Sequence, residues 1–445
     1  MNDRLDAALG RFMTENRLPG ASAAVVGGGE IIWSAGWGFA DRASGRRPDD
    51  RTLYRIASIS KTFTATAIMQ LRDEGALRLD DPVVRHVPEA AAIVNPFGPV
   101  EDITIRRLLL HTSGLQGEYP TADPDQEPFG SIAELVANIA RLRVVIAPDT
   151  LSKYCNVGFQ LLGAVVERAA GEPFAARVAR TILDPLGMAS TVYLAEGPLA
   201  ARCAVGYDAR AFSDALAPAK DLDSRTFEAD GGLWSCVEDL ARWLGFQLGD
   251  EHPDVLAPAT RREQHRPWII DEHWEEAQGL CWYWERRGDD RFVGHAGSVE
   301  GFTSRIAFSP ADGVGAVVLV NGIGEPTTLA LELTQIAALA ERARPVPSPV
   351  EPPTSAPAAV ADLLGLYGES SFGEQVRIEW HGAGLVLVDS DGVAHRLVAT
   401  GDPLCWTIEG GRPSGESILF LRGPDGAVNR SNTNGYPMRR LQIGI

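Results

Sequence analysis

Two alternating apolar runs, Ala21–Val26 and Ile31–Ala35, flank Gly27-Gly28-Gly29 near the start of the chain. Alternation on both sides of a glycine cluster predicts a β-hairpin. Ahead of it, Met1 to Leu18 spaces Leu and Phe among Asp, Arg and Glu, which predicts an amphipathic helix and not a secretory leader. From Thr62 to Glu74 the residues Phe63, Ala67 and Leu71 share one helical stripe, and Gly75 supplies a stop. Thr104 is placed to cap a short helix through Leu110, and Ser131–Leu142 and Val157–Ala170 predict two more, the second closed by Gly171. Ser235 and Glu238 have capping-box spacing ahead of an apolar helix through Leu248. Strand-like runs return at Arg305–Phe308 and Ala316–Val320, and Thr327–Arg342 predicts a closing helix.

Strands first, helices in the middle and strands again at the end predict a sheet lobe built from both ends of this region. A mostly helical lobe is inserted between them, and a site between the lobes is natural. Pro345 to Pro357, rich in Pro, Ser and Glu, reads as a semi-extended linker. Beyond it the period changes to two: Val376-Arg377-Ile378-Glu379-Trp380 alternates, Leu385–Val388 and Ile418–Leu421 are apolar, and Asp391-Gly392 and Asp425-Gly426 are turn signals. The expected class is α+β: a lobe of antiparallel sheet plus helices with an inserted all-helical lobe, followed by an antiparallel β-barrel-like domain. The corresponding boundaries are 1–344, a linker over 345–359, and 360–445.

The chain has 445 residues, enough for two or three domains, with 45% hydrophobic and 22% charged residues. A net charge of −18 argues against nucleic-acid or anionic-membrane partners. No apolar run reaches membrane-spanning length, and a cytoplasmic location is expected. The five cysteines, Cys155, Cys203, Cys236, Cys281 and Cys405, form no Cys-x-x-Cys pair and read as free thiols. With no His-Glu-x-x-His either, neither a metal nor another cofactor is expected.

Charge matters most at Ser58-Ile59-Ser60-Lys61, because the chain has only three lysines, Lys61, Lys153 and Lys220, among 41 basic residues. Residues three apart share a helix face, so the Lys61 amine can reach the Ser58 oxygen. An ordinary lysine, with a pKa of ~10.4, is a poor base at neutral pH, so burial or a second cation is expected to lower it. Backbone N–H groups beside Ser58 can hold a developing oxyanion. The plain structural alternative makes Ser58 a helix cap, yet a cation three residues on opposes the helix dipole. Ser60, adjacent to Lys61, reads as a first-turn residue.

Three further motifs follow in order: Leu108-Leu109-Leu110-His111-Thr112-Ser113-Gly114-Leu115, then Tyr154-Cys155-Asn156 ahead of a helix, then Gly294-His295-Ala296-Gly297-Ser298. With Ser58-Ile59-Ser60-Lys61 and Gly231-Gly232-Leu233-Trp234-Ser235, the chain resembles the serine β-lactamase and penicillin-binding protein superfamily over roughly residues 1–345. Within it, the class C β-lactamase-related branch, with its D-aminopeptidases and family VIII esterases, is most similar. The resemblance implies a β-lactamase/transpeptidase-like fold. It also implies that Ser58 forms an acyl-enzyme, Lys61 shares its proton traffic, and Tyr154 relays protons to the leaving group and activates the deacylating water. Asn156 would orient Lys61 and bind substrate, the N–H groups of Ser58 and Ser298 would form the oxyanion hole, and His295 and Gly297 would stand in the Lys-Thr-Gly-like motif. His111 reads as a pin between lobes, one face of Trp282-Tyr283-Trp284 as core, and Trp268 and Trp274 as residues whose place at a cleft the sequence leaves open.

Where β-lactamases and penicillin-binding proteins usually carry Lys-Thr-Gly, this chain has His295-Ala296-Gly297. A histidine mostly neutral at pH 7 and a missing hydroxyl predict weak recognition of a substrate carboxylate. The expected activity is therefore a metal-independent serine hydrolase acting on amide bonds of small peptides or amino-acid derivatives, as in D-aminopeptidases. A carboxylesterase or acyltransferase is the alternative; a β-lactamase or a non-catalytic penicillin-binding sensor ranks lower. The expected partners are a small-molecule or short-peptide substrate and, openly, a second copy of the chain. By resemblance the C-terminal β domain restricts access to the cleft or holds an oligomer together, with Asn432-Thr433-Asn434-Gly435 as a loop that reaches the site.

Overall fold

The computed structural model describes residues 1–119, 130–209, 216–220, 222–223, 227–271, 276–343, 356–368, 376–382, 384–389, 393–410, 415–433 and 436–441. The chain divides into two compact units, Met1–Ala343 and Arg344–Ile445.

In the first unit, helix α1 (Asn2–Glu15) precedes the hairpin β1 (Gly20–Gly27) and β2 (Glu30–Gly38). Gly28 and Gly29 form its turn at φ 61° and 81°, the left-handed pair that a two-residue hairpin needs. Helix α2 (Ser60–Asp73) and helix α3 (Asn156–Ala170) form the centre of the helical part; α4 (Val237–Leu248) leads back to the sheet. The sheet is completed by β3 (Ile269–Ile270), β4 (Glu276–Gln278), β5 (Tyr283–Arg287), β6 (Asp290–Val299), β7 (Phe302–Ser309) and β8 (Val314–Val320), then covered by α5 (Thr327–Arg342). Its order is β2-β1-β8-β7-β6-β5-β4-β3, all antiparallel. The pairing of Ala21 with Val320 joins the two ends of the region, as the strand distribution predicted.

Both faces of this sheet are buried, which explains the unbroken apolar run Val314–Val320. Ala21, Ala23 and Val25 point into a core shared with Leu5, Leu9 and Leu333, while Ala24 and Val26 point into the larger core. There Phe63 stacks on Trp243, with ring centroids 4.1 Å apart. The large core runs on through α2 and α3, so the sheet and the helical part are held by one continuous apolar cluster.

Local signals mostly act as expected. Thr104 caps its helix by accepting from the Arg107 N–H, and Gly171 closes α3 at φ 72°. Two differ. Ser235 lies in a short strand, Trp234–Ser235, with its hydroxyl on Thr191, and Glu238 pairs with Arg242 and Arg51, so no capping box starts α4. The Ser131–Leu142 stretch is an α-helix only over Ile132–Ala137 and tightens to 3₁₀ at Ile139–Arg141; its start is a true Ser131/Glu134 capping box.

The second unit is a closed barrel of eight antiparallel strands from Gly365–Gly368 to Tyr436–Leu441. Ile378, Leu387, Ile408 and Phe420 fill its interior, the inward half of the period-two pattern. Asn432 and Thr433 end a strand, Val428–Thr433, rather than open a loop. Asn434-Gly435, the Asp391-Gly392 turn, the linker up to residue 355 and Trp274 lie outside the described residues.

Candidate active site

Ser58 sits in a 3₁₀ turn, Ala57–Ile59, that runs directly into α2. The residue at the N-cap of α2 is Ile59, so Ser58 is not a helix cap. Instead its Oγ accepts a 3.0 Å hydrogen bond from Lys61 Nζ. The turn is pinned from two directions: Ile56 N–H donates to the Leu233 carbonyl, and Ser304 Oγ donates to the Ile56 carbonyl at 2.9 Å. Ala57 is thereby held at φ 46°, a left-handed conformation that costs an alanine roughly 1–2 kcal/mol. Ser60 is buried and accepts from the Leu233 N–H, the structural role its position suggested.

Lys61 is fully buried and donates to the Asp230 carbonyl at 2.6 Å, with the Asp230 carboxylate 3.9 Å away. The rings of Tyr154 and Phe159 lie 5.1 and 5.7 Å from its Nζ. Burial pushes Lys61 towards losing its proton, but Tyr154 and Asp230 outweigh it and the net direction is up. The depressed lysine expected from sequence is therefore replaced by a held ammonium. Burial raises Asp230 to about 7 against the pull of Lys61.

Tyr154 and Asn156 flank the start of α3, whose N-cap is Cys155. The Cys155 N–H donates to His111 Nδ1 at 3.1 Å, and the Lys153 N–H to the His111 carbonyl at 2.8 Å. His111 is buried, kept neutral by burial and by Lys61, and its ring packs 4.5 Å from that of Tyr154. It pins the segment that presents Tyr154, as its motif predicted. Asn156 donates from Nδ2 to Glu118 Oε1 at 2.6 Å, and its Oδ1 has no partner among the described residues. The carbonyl of Asp230, not the Asn156 amide, thus holds Lys61.

Strand β6 brings His295, Gly297 and Ser298 to the same place. A Cβ on Gly297 would lie 2.2 Å from the Ile56 carbonyl and 3.1 Å from the Ser58 nitrogen. Only glycine lets the strand approach the Ser58 turn this closely. His295 is buried, its Nδ1 donating to the Ala296 carbonyl at 2.6 Å, a tautomer assigned from that bond. Burial, then the Lys61 charge, lower it to about 3, so it is neutral at pH 7. The nearby Arg305 is buried and bound to Glu285 at 2.6 Å.

A cavity of about 800 Å³ opens over Ser58, Tyr154, Asn156, His295, Gly297 and Ser298, bringing all the expected site residues except buried Lys61 to one wall. Tyr283 lines it while Trp282 is buried in the core, the alternation expected of that run. Trp268 does not line it; Arg106 and Arg266 cover its ring. Sequence reasoning missed Asp230 and Glu118. Asp230 stands directly before the Gly231-Gly232 motif, which was the available signal.

Protein flp of Staphylococcus aureus (strain MRSA252) is 26% identical over 318 residues, 72% of this chain and 62% of its own length. The chain thus spans less than two thirds of that relative. Esterase EstB of Burkholderia gladioli is 32% identical over 296 residues, 59% of this chain and 74% of its own. Among solved structures, the octameric penicillin-binding protein homologue from Pyrococcus abyssi superposes with a TM-score of 0.66 at 22% identity, covering 98% of this chain and 99% of that one. A class C β-lactamase superposes at 0.65 and 22% identity, over 75% and 95% of the two chains. The Beta-lactamase family matches residues 5–341, and the chain belongs to it.

Proposed function

We propose that the protein is a serine hydrolase that cleaves amide bonds of small peptides or amino-acid derivatives through an acyl-enzyme on Ser58. The observation that carries this reading is the Ser58 Oγ at 3.0 Å from a fully buried Lys61 that also donates to the Asp230 carbonyl. Ser58 Oγ attacks the carbonyl carbon, and the N–H groups of Ser58 and Ser298 stabilise the oxyanion. Lys61 stays an ammonium throughout: it takes the serine proton as it passes one of its own to Tyr154, and Tyr154 gives its proton to the leaving nitrogen as the C–N bond breaks. Tyr154, 41% exposed, is the member of that pair that reaches the cavity. Water then attacks the ester, its proton returns by the same path, and Ser58 is freed.

Charge supports the preference over a β-lactamase. Neutral His295 and the Glu285-bound Arg305 offer little to a substrate carboxylate, while Asp271, Glu276 and Glu325 line the same cavity. A second reading, a carboxylesterase, is favoured by the relationship to Esterase EstB. The octameric homologue favours a homo-oligomer. One panel tests these: a p-nitrophenyl ester, D- and L-alanyl anilides and a chromogenic cephalosporin, each followed by turnover and intact mass. Anilide turnover with a transient acyl adduct supports the peptidase; ester turnover alone supports the esterase; a stable adduct without turnover rejects both.

A further inference from the structure

Two cavities meet at Ser58. The larger holds Tyr154; the other, of about 560 Å³, does not, and shares with it Ser58, Asn156, Ser298 and Ile323. If Tyr154 delivers the proton to the leaving group, as in the reading above, the leaving group lies in the larger cavity. The acyl part of the substrate then lies in the smaller one.

That smaller cavity is lined by four carboxylates, Glu118, Asp208, Asp230 and Glu300, and no described residue lining it is cationic. Among the described residues no three such groups are close enough to hold a metal ion. Two observations point to a donor-rich ligand in place of a mere acidic wall. Asp230 is 5% exposed, and its Oδ1 has no hydrogen-bond partner among the described residues. Asn156 Oδ1, on the boundary between the cavities, is likewise an acceptor with no partner among the described residues. A buried acceptor left unsatisfied is unfavourable, and a donating ligand would remove that cost. Phe227, Val299 and Ile323 add apolar wall.

We propose that this cavity recognises a positively charged amino group on the acyl side of the substrate. Glu118 and Glu300 supply the charge, and Asn156 Oδ1 and Asp230 Oδ1 serve as acceptors. The substrate class is then an α-amino acyl compound with a free amine. Its ammonium is held beside the scissile carbonyl, and Phe227, Val299 and Ile323 meet its side chain.

The test uses binding, so that it stands apart from turnover. In Ser58→Ala protein, calorimetry compares D- and L-alaninamide with lactamide, in which a neutral hydroxyl replaces the ammonium. The expected result is an advantage of about 10-fold or more for an alaninamide, reduced several-fold in Ser58→Ala protein that also carries Glu118→Gln and Glu300→Gln. Equal binding of the amine and hydroxyl compounds, an advantage that survives both substitutions, or no binding of either overturns the proposal. Failure of the hydrolase reading has a different signature: wild-type protein that forms no Ser58 adduct with any ester or anilide.

Discussion

The helical part and the sheet contribute to this site in different currencies. From α2 and the turn before it, the segment leading into α3 and the Asp230 segment come side chains: the proposed nucleophile, an ammonium, a phenol and a carboxylate. From β6 come chiefly an absence of side chain, at Gly297, and the backbone of Ser298 brought beside the Ser58 turn. The first group does chemistry by what it is, the second by where it lets the chain go. The helical contribution should therefore fail on chemical substitution, and the sheet contribution on any added atom.

The sharpest way to break this comparison is Ser58→Ala, which should cut turnover by about 10³-fold or more and abolish the acyl adduct by mass spectrometry. Wild-type hydrolysis would remove Ser58 from the mechanism. Next comes Gly297→Ala, one methyl group. It must displace the Ile56 carbonyl 2.2 Å away, and kcat should fall on the order of 10²-fold with KM less affected. Unchanged kcat would mean that the backbone of β6 is not part of the machinery. A smaller effect is expected from Glu285→Gln, which releases the Arg305 guanidinium beside the larger cavity. Preference for a carboxylate-bearing leaving group should rise about 10-fold; steady-state kinetics on paired substrates with and without the carboxylate would reveal no change if Arg305 cannot reach them.

The smallest effect concerns stability and is absent at neutral pH. His295 has a folded pKa of about 3, below its ordinary 6.5, so the unfolded chain binds its proton first on acidification. Its contribution to stability is complete above about 6.5 and is lost as pH falls, by roughly 2 kcal/mol at pH 5. Denaturant titrations at pH 7 and 5 should show a smaller acid-side loss in His295→Gln than in wild type. Asp230 works in the opposite sense: its raised pKa makes the fold lose stability as pH climbs from about 4 to about 7.

The same contrast explains what the sequence could show. Reactive side chains at fixed spacing, Ser58 with Lys61 and Tyr154 with Asn156, are visible as residue types. The joining of the two ends of the region in one sheet, through β1 and β8, was legible because strand patterns stood at both ends of one helical stretch. What Lys61 holds was not legible: its partner is the carbonyl of Asp230, 169 positions away, and every residue has a carbonyl. Its charge state was misread for the same reason, since burial alone favours neutrality and the opposing groups come from distant segments. The Ser235 and Glu238 spacing failed because Thr191 and two arginines compete for the same side chains. Glu118 and Glu300 belong to none of the motifs, and only the fold puts both on one cavity.

Ala57 carries a further consequence, for the order in which the protein becomes active. Its left-handed backbone is held through the neighbouring Ile56 by Leu233 and Ser304, the latter 248 positions beyond Ile56. Nothing local favours that conformation, so the nucleophilic turn can form only after β6, β7 and the Leu233 segment have docked around it. During refolding, secondary structure should return before the capacity to be acylated. A stopped-flow comparison of far-ultraviolet dichroism with Ser58 labelling would show a lag between the two, and simultaneous recovery would mean that the turn needs no such scaffold.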